Sequence, residues 1–138
     1  MLAGYSDRFV HMASNTERYG TLMRADGYGA RTGDCGDRVE FYLAVRQGKV
    51  YRLTFQVSGC LNTFACANTV TYLAEGRPID SCWELTPEQV IDFLESLDAG
   101  HRHCAELAVG AFYLALGDYA AKARQPWRRD YPDRSTPR

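Results

Sequence analysis

A chain of 138 residues, 46% of them hydrophobic, is long enough to bury one ordinary core without disulfide or metal staples, so a single domain is expected. Its formal net charge of -1 excludes nucleic acid or an anionic membrane as an electrostatically selected partner. The segment from Met1 to Arg8 has neither the apolar core of a signal peptide nor the basic, acid-free character of a transit sequence. No stretch is apolar for long enough to cross a bilayer, and the expected location is cytoplasmic.

In chain order, Ser6 is placed to cap a short helix over Asp7 to Met12. A glycine-rich connection leads to a short strand in the middle of residues 25–35. Residues 39–45 and 50–57 are rich in β-branched and aromatic side chains and flank Gln47-Gly48-Lys49, which predicts a β-hairpin. In its second strand Tyr51, Leu53, Phe55 and Val57 alternate with Arg52, Thr54 and Gln56, the pattern of a sheet with one packed face.

A helix is expected over residues 61–73, stopped by Gly76 and Pro78, with Cys60 at its N-terminus. Thr86-Pro87-Glu88-Gln89 has capping-box spacing and starts a helix reaching about Leu97. The last helix begins near His103, with Cys104, Leu107, Ala108, Ala111, Phe112 and Ala115 on its buried stripe. The domain is read as residues 1–121, and the basic, proline-bearing segment 122–138 as a frayed tail.

Five cysteines in a chain without a secretion signal form an odd set, which argues for reduced thiols rather than a disulfide framework. No internal repeat, phosphate-cradling glycine loop or Ser/His/Asp order is present, so the chemistry rests with the cysteines. Cys35-Gly36-Asp37 precedes the hairpin, Gly59-Cys60 follows it, and His101-Arg102-His103-Cys104 opens the last helix. Thiolates at element ends can converge at one tip of a small sheet, with Asp37 or His103 as a fourth metal ligand. Helix N-termini favour the thiolates of Cys60 and Cys104. A carboxylate binds iron less softly than a fourth thiolate, so such a site should both hold a cluster and release it. Buried structural thiols give the same spacing, and the residues alone leave that reading open.

Tyr5-Ser6, Ala25-Asp26-Gly27-Tyr28-Gly29, Cys35-Gly36-Asp37, Gly59-Cys60 and His103-Cys104-Ala105-Glu106-Leu107-Ala108 resemble, in order, the motifs of the IscU and NifU N-terminal scaffold family. The resemblance covers about residues 5–120. It implies an α+β fold, a small antiparallel three-stranded sheet with helices packed against it. It also implies a scaffold without turnover of its own, on which a transient 2Fe-2S cluster is built from iron and the sulfur of a cysteine desulfurase and passed to apo-proteins. Cys35, Cys60 and Cys104 would be cluster ligands, Cys104 the persulfide acceptor, Asp37 the group that keeps the cluster labile, and His103 a neighbouring or alternative ligand. The implied assembly is a monomer or weak homodimer, and zinc is a candidate for the resting form.

Where the family carries Leu-Pro-Pro-Val-Lys, the segment used for Hsp70 chaperone docking, this chain has Leu97-Asp98-Ala99-Gly100-His101, which argues against chaperone-assisted release. The separation of Cys60 and Cys104 resembles the IscU and NifU type rather than the SufU branch. Two other functions use the same residues: a zinc-bound sulfur carrier or transferase, and a regulator of the desulfurase. Cys66 stands six residues beyond Cys60, about 240° around a helix, and is read with Cys82 as buried packing. His11 is read as a surface residue, and His101 as either a loop residue or a group that approaches the metal.

Overall fold

Three strands follow from the patterned segments: β1 (Gly27–Thr32), β2 (Arg38–Arg46) and β3 (Lys49–Ser58). The computed structural model describes residues 4–124, in which these strands form an antiparallel sheet in the order β1-β2-β3. Gln47 and Gly48, at φ 54° and 74°, make the two-residue turn whose twist suits a hairpin. Val39, Phe41 and Leu43 of β2 and Leu53 and Phe55 of β3 are fully buried. Phe41 meets both Phe55 and Phe112 edge to face or tilted, and each such buried ring contributes about 1.5–3 kcal/mol of apolar burial.

The helices are α1 (Asp7–Ser14), α2 (Leu61–Ala74), α3 (Ile79–Cys82), α4 (Pro87–Leu94) and α5 (Arg102–Arg124), the last led in by a 3-10 turn at Ala99–His101. Ser6 caps α1 by accepting from the Phe9 amide, and α1 runs two residues past its expected end. Thr86 and Gln89 form both halves of the capping box at α4. Two boundaries differ from expectation. α4 stops at Leu94 because Glu95 turns to φ 66°, and the freed Leu94 carbonyl accepts from the Ser6 hydroxyl and the Ser96 amide. α5 continues to Arg124, so Lys122, assigned to a tail, is helical and 5% exposed, paired with Asp118 at 3.1 Å. The remainder of that expected tail lies outside the described residues. The one-turn α3 was not foreseen, since four residues are too few to show a period.

Both sides of the sheet are closed off. Arg18 and Gly20 bond Phe55 at the outer edge of β3, and Arg77, Gly76 and Ile79 bond its other end at Val50 and Gly48. Unpaired strand edges invite aggregation, and these segments remove one. From Gly20 at β3 the chain returns to Asp26, whose amide bonds the Leu43 carbonyl, so residues 20–26 connect the outer edge of β3 to the start of β1.

The helices meet the sheet most closely at β1. A Cβ on Gly27 would lie 2.5 Å from the Ala115 carbonyl oxygen, and one on Gly29 would collide with the backbone of Ala111, Leu114 and Ala115. The outward amide of Tyr28 is capped by Asp118 of α5 at 2.9 Å. Backbone cannot yield as a flexible side chain does, so Gly29→Ala will destabilise the fold by about 1–3 kcal/mol or more, through overpacking. Urea unfolding checks this, and an unchanged midpoint would show that α5 is not seated on β1 as described.

Candidate metal centre

The register aligns Thr32, Arg38 and Ser58 across the sheet, so β1 ends, β2 begins and β3 ends at one tip. Two chain segments leave from there, and the start of α5 meets them. The β1–β2 loop carries Cys35 and Asp37; it is drawn closed by bonds from Gly33 to Asp37 and from Gly36 to Gly33, with Gly36 at φ 91°. Cys60 follows β3 as the N-cap of α2, and Cys104 stands in the first turn of α5.

Asp37, Cys60 and Cys104 place one ligand atom each within 4.8 Å of one another. That set of a carboxylate and two thiols suits zinc or iron. The Cys60 amide donates to Asp37 Oδ2 at 3.2 Å. A Cβ on Gly59 would collide with the Asp37 carboxyl carbon, so glycine there is what lets the carboxylate reach the start of α2. Thr63, fully buried, donates its hydroxyl to the same Oδ2 at 2.6 Å, and its Oγ1 lies 3.5 Å from Cys60 Sγ. Sequence reasoning missed Thr63. Its spacing of three from Cys60, which puts both on one side of the helix start, was the available signal.

These contacts set the protonation of the metal-free site. The Thr63 hydroxyl, with the Cys60 amide behind it, holds the Asp37 carboxyl below its usual range against the opposing effect of burial. Cys104 is completely buried, and burial pushes its thiol up to about 11, with Thr63 opposing and the neighbouring Cys60 and Asp37 adding. The carboxylate is therefore charged and ready at neutral pH, while Cys104 holds a proton that a metal must displace.

Cys35 and His103 stand outside the three-residue set. Cys35 is exposed and shares with His103 a cleft of about 430 Å³ walled by Arg31, Asp34, Glu106 and Leu107. His103 Nε2 lies 3.7 Å from Cys104 Sγ, beside the centre. His101 pairs with Asp98 at 2.8 Å, its ring 6.1 Å from that of His103. Cys66 and Cys82 are buried, and burial raises both thiols. His11 is exposed and contacts Asn15.

The chain as a whole is similar to known proteins. The family described as NifU-like N terminal domain matches residues 4–126. The iron-sulfur cluster assembly scaffold protein IscU 1 of Archaeoglobus fulgidus is 30% identical over 119 residues, 86% of this chain and 78% of that protein. The scaffold protein of the same name from Aquifex aeolicus is 26% identical over 122 residues, covering 86% of this chain and 77% of that one. Among solved structures, the N-terminal part of a nitrogen-fixing NifU-like protein from Brucella abortus superposes with a TM-score of 0.70 at 18% identity, over 85% of this chain and 94% of that one.

The five thiols should differ sharply in reactivity. Brief alkylation of the metal-free protein at pH 8, read by peptide mass spectrometry, is expected to label the exposed Cys35 and Cys60 first, and Cys66, Cys82 and Cys104 only on unfolding. Rapid labelling of Cys104 would contradict its burial.

Proposed function

Because the chain belongs to the family of NifU-like N-terminal domains, we propose that it is a scaffold on which a transient 2Fe-2S cluster is assembled and then handed to apo-proteins. The relatives' names as scaffold proteins support this reading, and the observation that carries it is the meeting of Asp37, Cys60 and Cys104 at one tip of the sheet. Cys35, on the glycine-bearing loop beside them, would supply the third thiolate, and His103 a neighbouring ligand. The cluster is cargo, so the site has to bind without holding permanently. A carboxylate among thiolates suits that need, being a harder and less tenacious donor to iron.

Sulfur would come from a cysteine desulfurase. The Cys104 thiolate attacks the outer sulfur of the enzyme's persulfide; a new S–S bond forms at Cys104, the old one breaks, and the desulfurase cysteine leaves as thiolate. Cys104 is buried, so this transfer requires the site to open around it when the enzyme docks. Zinc fits the same donors and would be the resting occupant. The setting we propose is the cytoplasm, with the chain acting as a monomer or weak homodimer. Among the described residues no helix is long and apolar enough to cross a membrane. Hsp70-assisted release is not part of the proposal, because Leu97–His101 lacks the prolines and lysine of the docking segment.

Anaerobic reconstitution with ferrous iron, cysteine and a desulfurase, followed by addition of apo-ferredoxin, tests the function. A 2Fe-2S absorption spectrum should appear, bleach as the acceptor gains its cluster, and be lost in Cys60→Ala. Asp37→Ala should lengthen the cluster's lifetime and slow its transfer. A colourless protein holding one tight zinc and stimulating desulfurase turnover would replace the scaffold with a sulfur carrier.

A further inference from the structure

We propose that Thr63 is a positioning residue that aims the Asp37 carboxylate at the metal; the inference rests on the reading of Asp37, Cys60 and Cys104 as a metal site. Thr63 lies one turn into α2, with no exposed surface, and its hydroxyl sits amid all three ligand side chains. It donates to Asp37 Oδ2 at 2.6 Å and lies 3.5 Å from Cys60 Sγ.

A hydroxyl has one proton to donate and two lone pairs with which to accept. The proton goes to the charged acceptor, Asp37, in a short charge-assisted bond. Among the described residues, the hydrogen bonds to the Asp37 carboxylate from Thr63 and from the Cys60 amide both fall on Oδ2, so the carboxylate is fixed in direction with Oδ1 left for a metal. Gly59 removes the Cβ that would block this pose, and Thr63 supplies the bond that holds it. The loop carrying Asp37 is exposed at Asp34, Cys35 and Gly36, and without Thr63 a single long amide bond at 3.2 Å would tie the carboxylate to α2.

Outer partners that orient a ligand are typically worth 10- to 100-fold in metal affinity. Co²⁺ alone is the probe, because its visible bands report both binding and the make-up of the ligand set. In Thr63→Val, which keeps the side chain's shape and drops the hydroxyl, Co²⁺ affinity should fall by about 10-fold and the ligand-field bands should shift. Thr63→Ser, which keeps the hydroxyl and drops the methyl, should restore the wild-type spectrum. In the Asp37→Ala background Thr63→Val should weaken Co²⁺ no further, since Thr63 acts through Asp37.

Equal losses from Thr63→Val in both backgrounds, or loss of the spectrum in Thr63→Ser, would show a packing role and overturn the inference. Either result would leave the scaffold reading standing. Wild-type protein that fails to bind Co²⁺ would overturn the metal site itself and this inference with it.

Discussion

The contact on which the molecule depends is the seating of β1 on α5 through Gly27 and Gly29. At both positions the helix backbone occupies the space a Cβ would need, so strand and helix meet at a separation that only glycine allows. Asp118 of α5 then satisfies the Tyr28 amide, and Lys122 neutralises Asp118 one turn further along. This contact fixes where α5 lies along the strand, and thereby where its first turn, with Cys104, falls relative to the loop that leaves β1. Chemistry at the tip is a consequence of packing along the shaft.

At the tip the same device is used again. Gly59 gives up its side chain so that Asp37 can reach across to α2, where Thr63 and the Cys60 amide hold it. The result is a site of mixed character: a charged carboxylate, an exposed thiol at Cys60, and a buried, protonated thiol at Cys104. Cys35 and His103 line the adjoining cleft, on the side open to solvent.

Much of this was legible in the residues. The hairpin was marked by alternating Leu53, Phe55 and Val57 around a Gln-Gly turn, and the starts of α1 and α4 by Ser6 and by Thr86 with Gln89. The candidate ligands were found from cysteines lying at element ends, with the order of motifs pointing to the family. What stayed hidden depends on tertiary contact. The early stop of α4 comes with Glu95 at positive φ and a Leu94 carbonyl that is taken up by Ser6, some ninety residues away in sequence. Lys122 reads as a tail cation until Asp118 is seen to bury it. Thr63 reads as an ordinary helical threonine until Asp37 arrives from a separate loop. The split between the Asp37, Cys60 and Cys104 set and the Cys35 and His103 cleft is likewise a matter of loop geometry, which spacing does not encode.

The central claim is that one centre at the sheet tip binds metal through sulfur and a carboxylate together. X-ray absorption at the zinc edge of the zinc-loaded protein measures this directly. The account predicts a mixed shell, with sulfur at about 2.3 Å alongside oxygen or nitrogen at about 2.0–2.2 Å, and loss of one light-atom neighbour in Asp37→Ala. A shell of oxygen and nitrogen alone, or a spectrum unchanged by Asp37→Ala, would contradict it.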